Sequence, residues 1–126
     1  MKHRVRNTIR IPVCNFVLVL ILTSVSQSLG TESLQQSIDY LLNYVATSDA
    51  TFIRNGESHT AAEAAVHIKA KYQHFKNEIQ TSEDFIRLCA AKSLLTEQPY
   101  LVRTADGKQM RLDAWLTEAL KKHRGE

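Results

Sequence analysis

The chain has 126 residues, with 16 Lys plus Arg against 13 Asp plus Glu, 44% hydrophobic residues, four Gly and two Cys. That is room for one small domain, and the apolar content argues against disorder. Four scattered glycines exclude the Gly-rich phosphate loop that kinases, polymerases and dinucleotide-dependent enzymes need.

Residues 1–30 read as a signal peptide: Lys2, Arg4, Arg6 and Arg10, an apolar run over residues 16–22, then small and polar residues. Cleavage is expected after Ser28 or Gly30, and Gly30 is taken as the boundary, leaving one domain over residues 31–126. The apolar run is shorter than the roughly 20 residues of a spanning helix, and Pro12 and Asn15 interrupt its start. Cys14 precedes the run, whereas a lipidated Cys would follow it. No stable membrane span is therefore expected after cleavage. Cleavage also removes four cations and no acid, so 12 basic face 13 acidic residues and the net charge becomes −1. A nucleic-acid partner loses its electrostatic support. Cys89 is then the domain's single cysteine, which leaves no internal disulfide and reads as a buried small hydrophobe.

In chain order, a first helix is expected over residues 33–48, since Leu34, Ile38, Leu41, Leu42 and Val45 recur at helical spacing behind a Ser33/Gln36 capping box. Phe52-Ile53 then reads as a short apolar tether, and Asn55-Gly56 as a turn suited to positive φ. A second helix opens at the Thr60/Glu63 capping box, with Ala61, Ala65, Ile68, Tyr72, Phe75 and Ile79 as its apolar stripe. Thr81 and Asp84 open a third, whose core face is Phe85, Leu88 and Cys89 with Ile86 at the edge. Residues 100–105 and 108–112 flank Asp106-Gly107, a hairpin turn that pairs Ala105 with Lys108 and Arg103 with Met110, and puts Leu101, Met110 and Leu112 on the core face. A last helix runs from Asp113 with Leu112, Trp115, Leu116, Ala119 and Leu120 inward and Lys121, Lys122, His123 and Arg124 at its end, as the helix dipole favours. The expected fold is α+β and mainly α: about four helices, with one β-hairpin between the third and the fourth.

Phe52-Ile53-Arg54-Asn55-Gly56, Ala64-Ala65 with His67-Ile68 and Lys71, Thr81 with Glu83-Asp84-Phe85-Ile86, Pro99-Tyr100, Asp106-Gly107 and Trp115-Leu116 follow one another in an order and spacing that resembles the YfeK-like family of small exported proteins from Gram-negative bacteria. The resemblance covers most of residues 52–116. It implies an exported, periplasmic single domain of unknown function and supplies no reaction. The chain departs from that family where a Ser-rich stretch with a Gly leads into the Pro-Tyr pair: residues 91–98 here keep only Ser93 and Thr96 as hydroxyls.

The residue types that carry chemistry gather near the start of the second helix. Arg54, Asn55 and His59 precede a helix end whose N–H groups point outward, a place that holds anions, and Arg54 offers a bidentate fork for carboxylate or phosphate. The bland alternative is a turn, a cap and an Arg54–Glu63 ion pair. Glu63, His67, Lys71 and His74 form a polar stripe, readable either as a linked set or as a solvated face with i,i+4 pairs. No His-x-x-x-His or Cys-x-x-Cys pair supports a metal or another cofactor, and none is expected. Tyr40 and Tyr44 sit off the centre of the first helix's stripe, either packed against the hairpin or forming a contact surface for assembly. The reading favoured is a non-enzymatic periplasmic binding module in which Arg54, Asn55 and His59, supported by His67 and Lys71, recognise a small anionic ligand or an envelope partner. The alternatives are a hydrolase or transferase with His67 as base and Ser93 or Cys89 as nucleophile, and a structural envelope protein.

Overall fold

In the computed structural model, which describes residues 32–126, each of the three expected caps is formed. Ser33 Oγ accepts from the Gln36 N–H at 3.2 Å and Gln36 Oε1 accepts from the Ser33 N–H at 2.9 Å, starting α1 (Leu34–Ala46). Thr60 and Glu63 exchange the same pair of bonds at 3.2 and 3.1 Å to start α2 (Ala61–Phe75), which tightens into a 3₁₀ turn over Lys76–Glu78. Thr81 accepts from the Asp84 N–H at 3.0 Å to start α3 (Ser82–Cys89). Each reciprocal pair satisfies two otherwise orphaned N–H groups, which is why the sequence signature reads so directly. The signal-peptide reading of residues 1–30 lies outside the described residues.

The fold is α+β and mostly helical. The hairpin β3 (Leu101–Arg103) and β4 (Gln109–Arg111) lies between α3 and α4 (Leu112–Arg124), as expected. A second hairpin joins it. Asn55 and Gly56 have φ of 52° and 79°, the two-residue turn whose twist matches paired strands, and they connect β1 (Thr51–Arg54) to β2 (Glu57–His59). The segment read as a tether is thus an inner strand of a four-stranded antiparallel sheet, ordered β2-β1-β3-β4. Strands of three or four residues are too short for alternation to announce them.

The register of β3 and β4 differs from the expected one. Leu101 pairs with Arg111, Val102 with Met110 and Arg103 with Gln109. Asp106 does not adopt positive φ; Gly107 alone does, at 87°, and its N–H reaches the Thr104 carbonyl at 2.9 Å. The Asp106 carboxylate accepts instead from the Thr104 hydroxyl and the Lys108 N–H. This makes a three-residue loop, and the one-residue slip turns β3 over while β4 keeps its face. Val102, fully buried, and Met110 face inward in place of Leu101 and Met110, while Leu112 is buried as the first residue of α4.

Residues directly opposite in an antiparallel sheet share a face, so His59, Phe52, Val102 and Met110 form one inward row. Arg54 and Tyr100, two residues from Phe52 and Val102, fall on the same side. Against this row pack Ile38, Leu41 and Val45 of α1, Ile68 and Tyr72 of α2, Phe85 and Cys89 of α3, and Trp115, Leu116 and Leu120 of α4. On α3, Ile86 belongs to the core rather than its edge, and Leu88 is only partly buried. Tyr40 stacks on His123 at 3.7 Å and Tyr44 lies 4.6 Å from Trp115, so both tyrosines pack on α4 and not on the hairpin. Arg124 binds Glu83 at 2.5 Å and His123 binds Glu32 at 2.6 Å, tying the cationic end of α4 to α3 and to the start of the described chain. Among the described residues no helix is long and apolar enough to cross a membrane.

Candidate functional site

The buried face of α2 is rotated from the expected stripe. Its buried residues are Ala64, Ile68, Lys71 and Tyr72, while Ala61, Ala65 and Phe75 are only partly covered. The rotation carries Lys71 off the solvated stripe, where it was expected beside Glu63 and His74, and into the interior at 7% exposure. His67, one turn earlier, turns inward with it. Both meet Arg54 and Tyr100 coming from the sheet.

Lys71 Nζ donates to the Lys92 carbonyl at 2.8 Å and to the Tyr100 hydroxyl at 3.3 Å. The same hydroxyl lies 3.0 Å from His67 Nε2. An ammonium has donors only, so Tyr100 Oη accepts from Lys71 and gives its own hydrogen to His67, whose hydrogen then sits on Nδ1. The chain of bonds runs from Lys71 through Tyr100 to His67. The expected linked set of Glu63, His67 and Lys71 is not made: Glu63 serves the Thr60 N–H at 3.1 Å and lies 3.4 Å from His59 Nδ1.

Burial, then the nearby cations Arg54 and Lys71, push the His67 imidazole down to about 4. Burial, helped by Arg54, also lowers Lys71, and burial raises the Tyr100 phenol. At neutral pH His67 and Tyr100 are therefore uncharged. His67 imposes a stability signature with a definite sign. Its folded-state value lies below the 6.5 of a free imidazole, so its contribution is complete above pH 6.5 and is lost as the pH falls toward 4. With solvent screening the loss is roughly 1–2 kcal/mol. Urea unfolding at pH 7.5 and pH 5.0 is expected to show it in the parent and not in His67→Gln; equal slopes in the two proteins would contradict this environment for His67.

Arg54 stands at the end of β1, partly buried, and among the described residues it has no carboxylate partner. The alternative Arg54–Glu63 pair is not formed. Asn55 does not face a ligand position with its amide: Nδ2 donates to Ser93 Oγ at 3.4 Å and Oδ1 accepts from the Thr96 hydroxyl at 2.5 Å. The two hydroxyls kept in the departing stretch are thus the ones that anchor the loop of residues 93–98 to the β1–β2 turn. Glu97 takes the left-handed conformation there, at φ 58°, in a stretch where the family resemblance implies a Gly.

Two hollows adjoin at Arg54, His67 and Tyr100. One is a half-open hollow of about 90 Å³ between the sheet and α2, with Phe52, His59, Glu63 and Ile68 in its wall. The other is an open groove of about 430 Å³ bounded by Arg54, Asn55, His67, Lys71, Ser93, Leu94, Leu95 and Tyr100, with no acidic residue in its lining. Leu94 and Leu95 stand out from its rim, 60% and 92% exposed.

The nucleophiles named with His67 are otherwise engaged. His67 bonds to Tyr100; Ser93 Oγ accepts from Asn55 and from the N–H groups of Leu95 and Thr96; and Cys89 is fully buried, with burial pushing its thiol up to about 11. Such a thiol is not a nucleophile at neutral pH. Among the described residues no group of three or more His, Cys, Asp or Glu is placed to hold a metal ion. Tyr100 is the central member of the site that sequence reasoning left out. The expected register turned Val102, and with it Tyr100, to the outer face, so only the one-residue slip brings Tyr100 into the site.

The model of a family described as "Family of unknown function (DUF5329)" matches residues 32–124. The chain belongs to that family. The chain is also similar to a protein described as "Uncharacterized protein YfeK" from Salmonella typhimurium, 41% identical over 64 residues. That alignment covers 50% of this chain and 53% of the relative, so the chain spans about half the length of the curated relative it matches. No solved structure matches the chain. Family membership agrees with the resemblance read from residues 52–116 and brings no assigned activity.

Proposed function

We propose that the chain is an exported, periplasmic binding module that recognises a small anion through Arg54, with Lys71 and His67 beside it, and that it does not turn its ligand over. The observation that carries this reading is Arg54 itself: a partly buried guanidinium without an acidic partner among the described residues, on a groove that also holds a buried ammonium and lacks carboxylates. Two cations in such a setting repel each other until an anion neutralises them, and a guanidinium fork suits a carboxylate or phosphate. Lys71 uses two of its three donors on Lys92 and Tyr100, leaving one for a ligand. His67, neutral and already accepting from Tyr100, positions that phenol. Asn55 acts indirectly by holding the loop of residues 93–98 over the groove.

The test is calorimetric titration of the full chain with inorganic phosphate and with small carboxylates, in parent and Arg54→Gln. The expected result is saturable binding of at least one of these anions that weakens tenfold or more in the variant, whose stability stays within about 1 kcal/mol of the parent. Binding that is unchanged in Arg54→Gln, or absent from both proteins, overturns the reading.

A further inference from the structure

The two leucines on the rim of the groove extend the anion-binding reading, on which this inference rests, from a free anion to a membrane surface. Among the described residues three large apolar side chains stand exposed: Val66 on α2, and the neighbours Leu94 and Leu95 on the groove's rim. A lone exposed leucine is ordinary, whereas an adjacent pair bordering a charged groove marks a contact surface.

The loop itself fixes their exposure. Ser93 is buried, and its hydroxyl oxygen accepts from the Leu95 and Thr96 N–H groups at 3.3 and 3.4 Å. The Ser93 N–H reaches the Gln98 carbonyl and the Glu97 N–H reaches the Ser93 carbonyl, both at 3.0 Å, while Thr96 is tied to Asn55. Held this way, the loop carries Leu95 outward, where almost nothing of the protein packs on it. These bonds, with that from the Gln98 N–H to the Thr96 hydroxyl, also occupy the N–H groups of residues 95–98, so an extended peptide finds no main-chain donors there. A free acyl chain would be covered on one side only. A bilayer surrounds a protruding side chain, which is what this geometry asks for.

Charge selects the kind of bilayer. The groove that both leucines line also holds Arg54 and Lys71 and no acidic residue. Lys92, two residues before Leu94, has a side chain 56% exposed and meets Glu97 only at 3.9 Å. A phosphodiester headgroup offers a negative charge shared by two oxygens, the pair that a guanidinium fork takes. We propose that the chain docks on an anionic phospholipid bilayer, with a headgroup phosphate on Arg54 and Lys71 and with Leu94 and Leu95 dipping among the acyl chains. Among the described residues no helix can span a membrane, so the contact is peripheral.

The experiment places a reporter at the tip. Leu95→Trp in the full chain is mixed with vesicles of phosphatidylcholine brominated on its acyl chains, with and without phosphatidylglycerol. Bromine quenches an indole that enters the acyl region, and the native Trp115 is buried in the core, so the parent supplies the baseline. Quenching therefore reports the loop, whatever else in the chain meets the vesicle, and a substitution at so exposed a position leaves the core intact. The expected result is quenching of the introduced indole on vesicles with phosphatidylglycerol, at lipid concentrations tenfold or more below those needed without it. Adding Arg54→Gln is expected to remove that advantage. No quenching on either vesicle, while phosphate or a small carboxylate still binds through Arg54, overturns the membrane inference and leaves the anion-binding reading standing. Quenching that is equal on the two vesicles, or unchanged by Arg54→Gln, overturns the pairing of loop and groove. A blue shift of the introduced indole with monomeric dodecyl phosphate but not with vesicles assigns the groove to a free amphiphile, and one that follows protein concentration alone assigns the leucines to a second copy; either overturns the proposal. Neither quenching nor small-anion binding overturns both readings.

Discussion

Phe85→Ala is expected to lose about 4 kcal/mol of unfolding free energy, measured by urea denaturation at pH 7.5. Phe85 is completely buried at the middle of α3 and meets Tyr72 of α2 edge to face at 5.8 Å. Three features make the cost large. α3 has eight residues, too few to be stable as an isolated helix, so its docking depends on the side chains of one face. Cys89 is the one cysteine among the described residues, so no disulfide restrains the unfolded chain there. A domain of this size has on the order of 5–15 kcal/mol in total, so the variant retains little reserve. Phe85→Leu, which keeps most of the volume, is expected to cost about 1–2 kcal/mol. A loss below about 2 kcal/mol in Phe85→Ala would mean that α3 settles into the vacated space, contrary to this account.

Lys71→Met is expected to act in the opposite direction on stability and strongly on binding. Burial lowers the Lys71 ammonium below its ordinary value, and a base depressed in this way contributes stability only above its unfolded value; at neutral pH the folded chain carries the charge at a cost. Methionine keeps the unbranched stem and removes the charge, so the unfolding free energy at pH 7 is expected to rise by on the order of 1 kcal/mol. The Lys92 carbonyl, on an exposed residue, turns to water. Anion affinity is expected to fall at least tenfold, because the groove loses the cation beside Arg54. The pair of measurements, denaturation and titration on one variant, separates a folding role from a binding role. Lower stability with unchanged anion affinity would make Lys71 a structural tie of the loop of residues 93–98 and nothing more.

The local chemistry of the site was legible in the residues, and its orientation was not. Ser33, Thr60 and Thr81 announce helix starts because a cap is a bond between residues three apart, wholly contained in the sequence window that shows it. Asn55-Gly56 announces its turn for the same reason. Whether such a turn joins strands depends on a neighbour: β1 becomes an inner strand because β3, some fifty residues later, supplies its other partner. The β3–β4 register turned on whether Asp106 or Gly107 alone takes positive φ, which the Thr104 hydroxyl and Lys108 N–H settle by binding the Asp106 carboxylate.

The candidate residues Arg54, His59, His67 and Lys71 do converge, yet through geometry that the helical wheel of α2 did not contain. A polar stripe beside an apolar one reads as solvated when the helix is considered alone. Sheet pairing brings Arg54 and Tyr100 onto the inward side, and the Tyr100 hydroxyl with the Lys92 carbonyl supplies the acceptors that let an ammonium sit at 7% exposure. The helices, the three side-chain caps, the Asn55-Gly56 turn and the mainly helical α+β class were readable from the residues alone, because those rest on bonds between near neighbours and on periodic burial. The four-stranded sheet, the β3–β4 register, the inward turn of His67 and Lys71 and the groove they share with Arg54 came from contacts far apart in the chain, because each depends on which distant strands pair and which distant groups arrive to satisfy a buried polar atom.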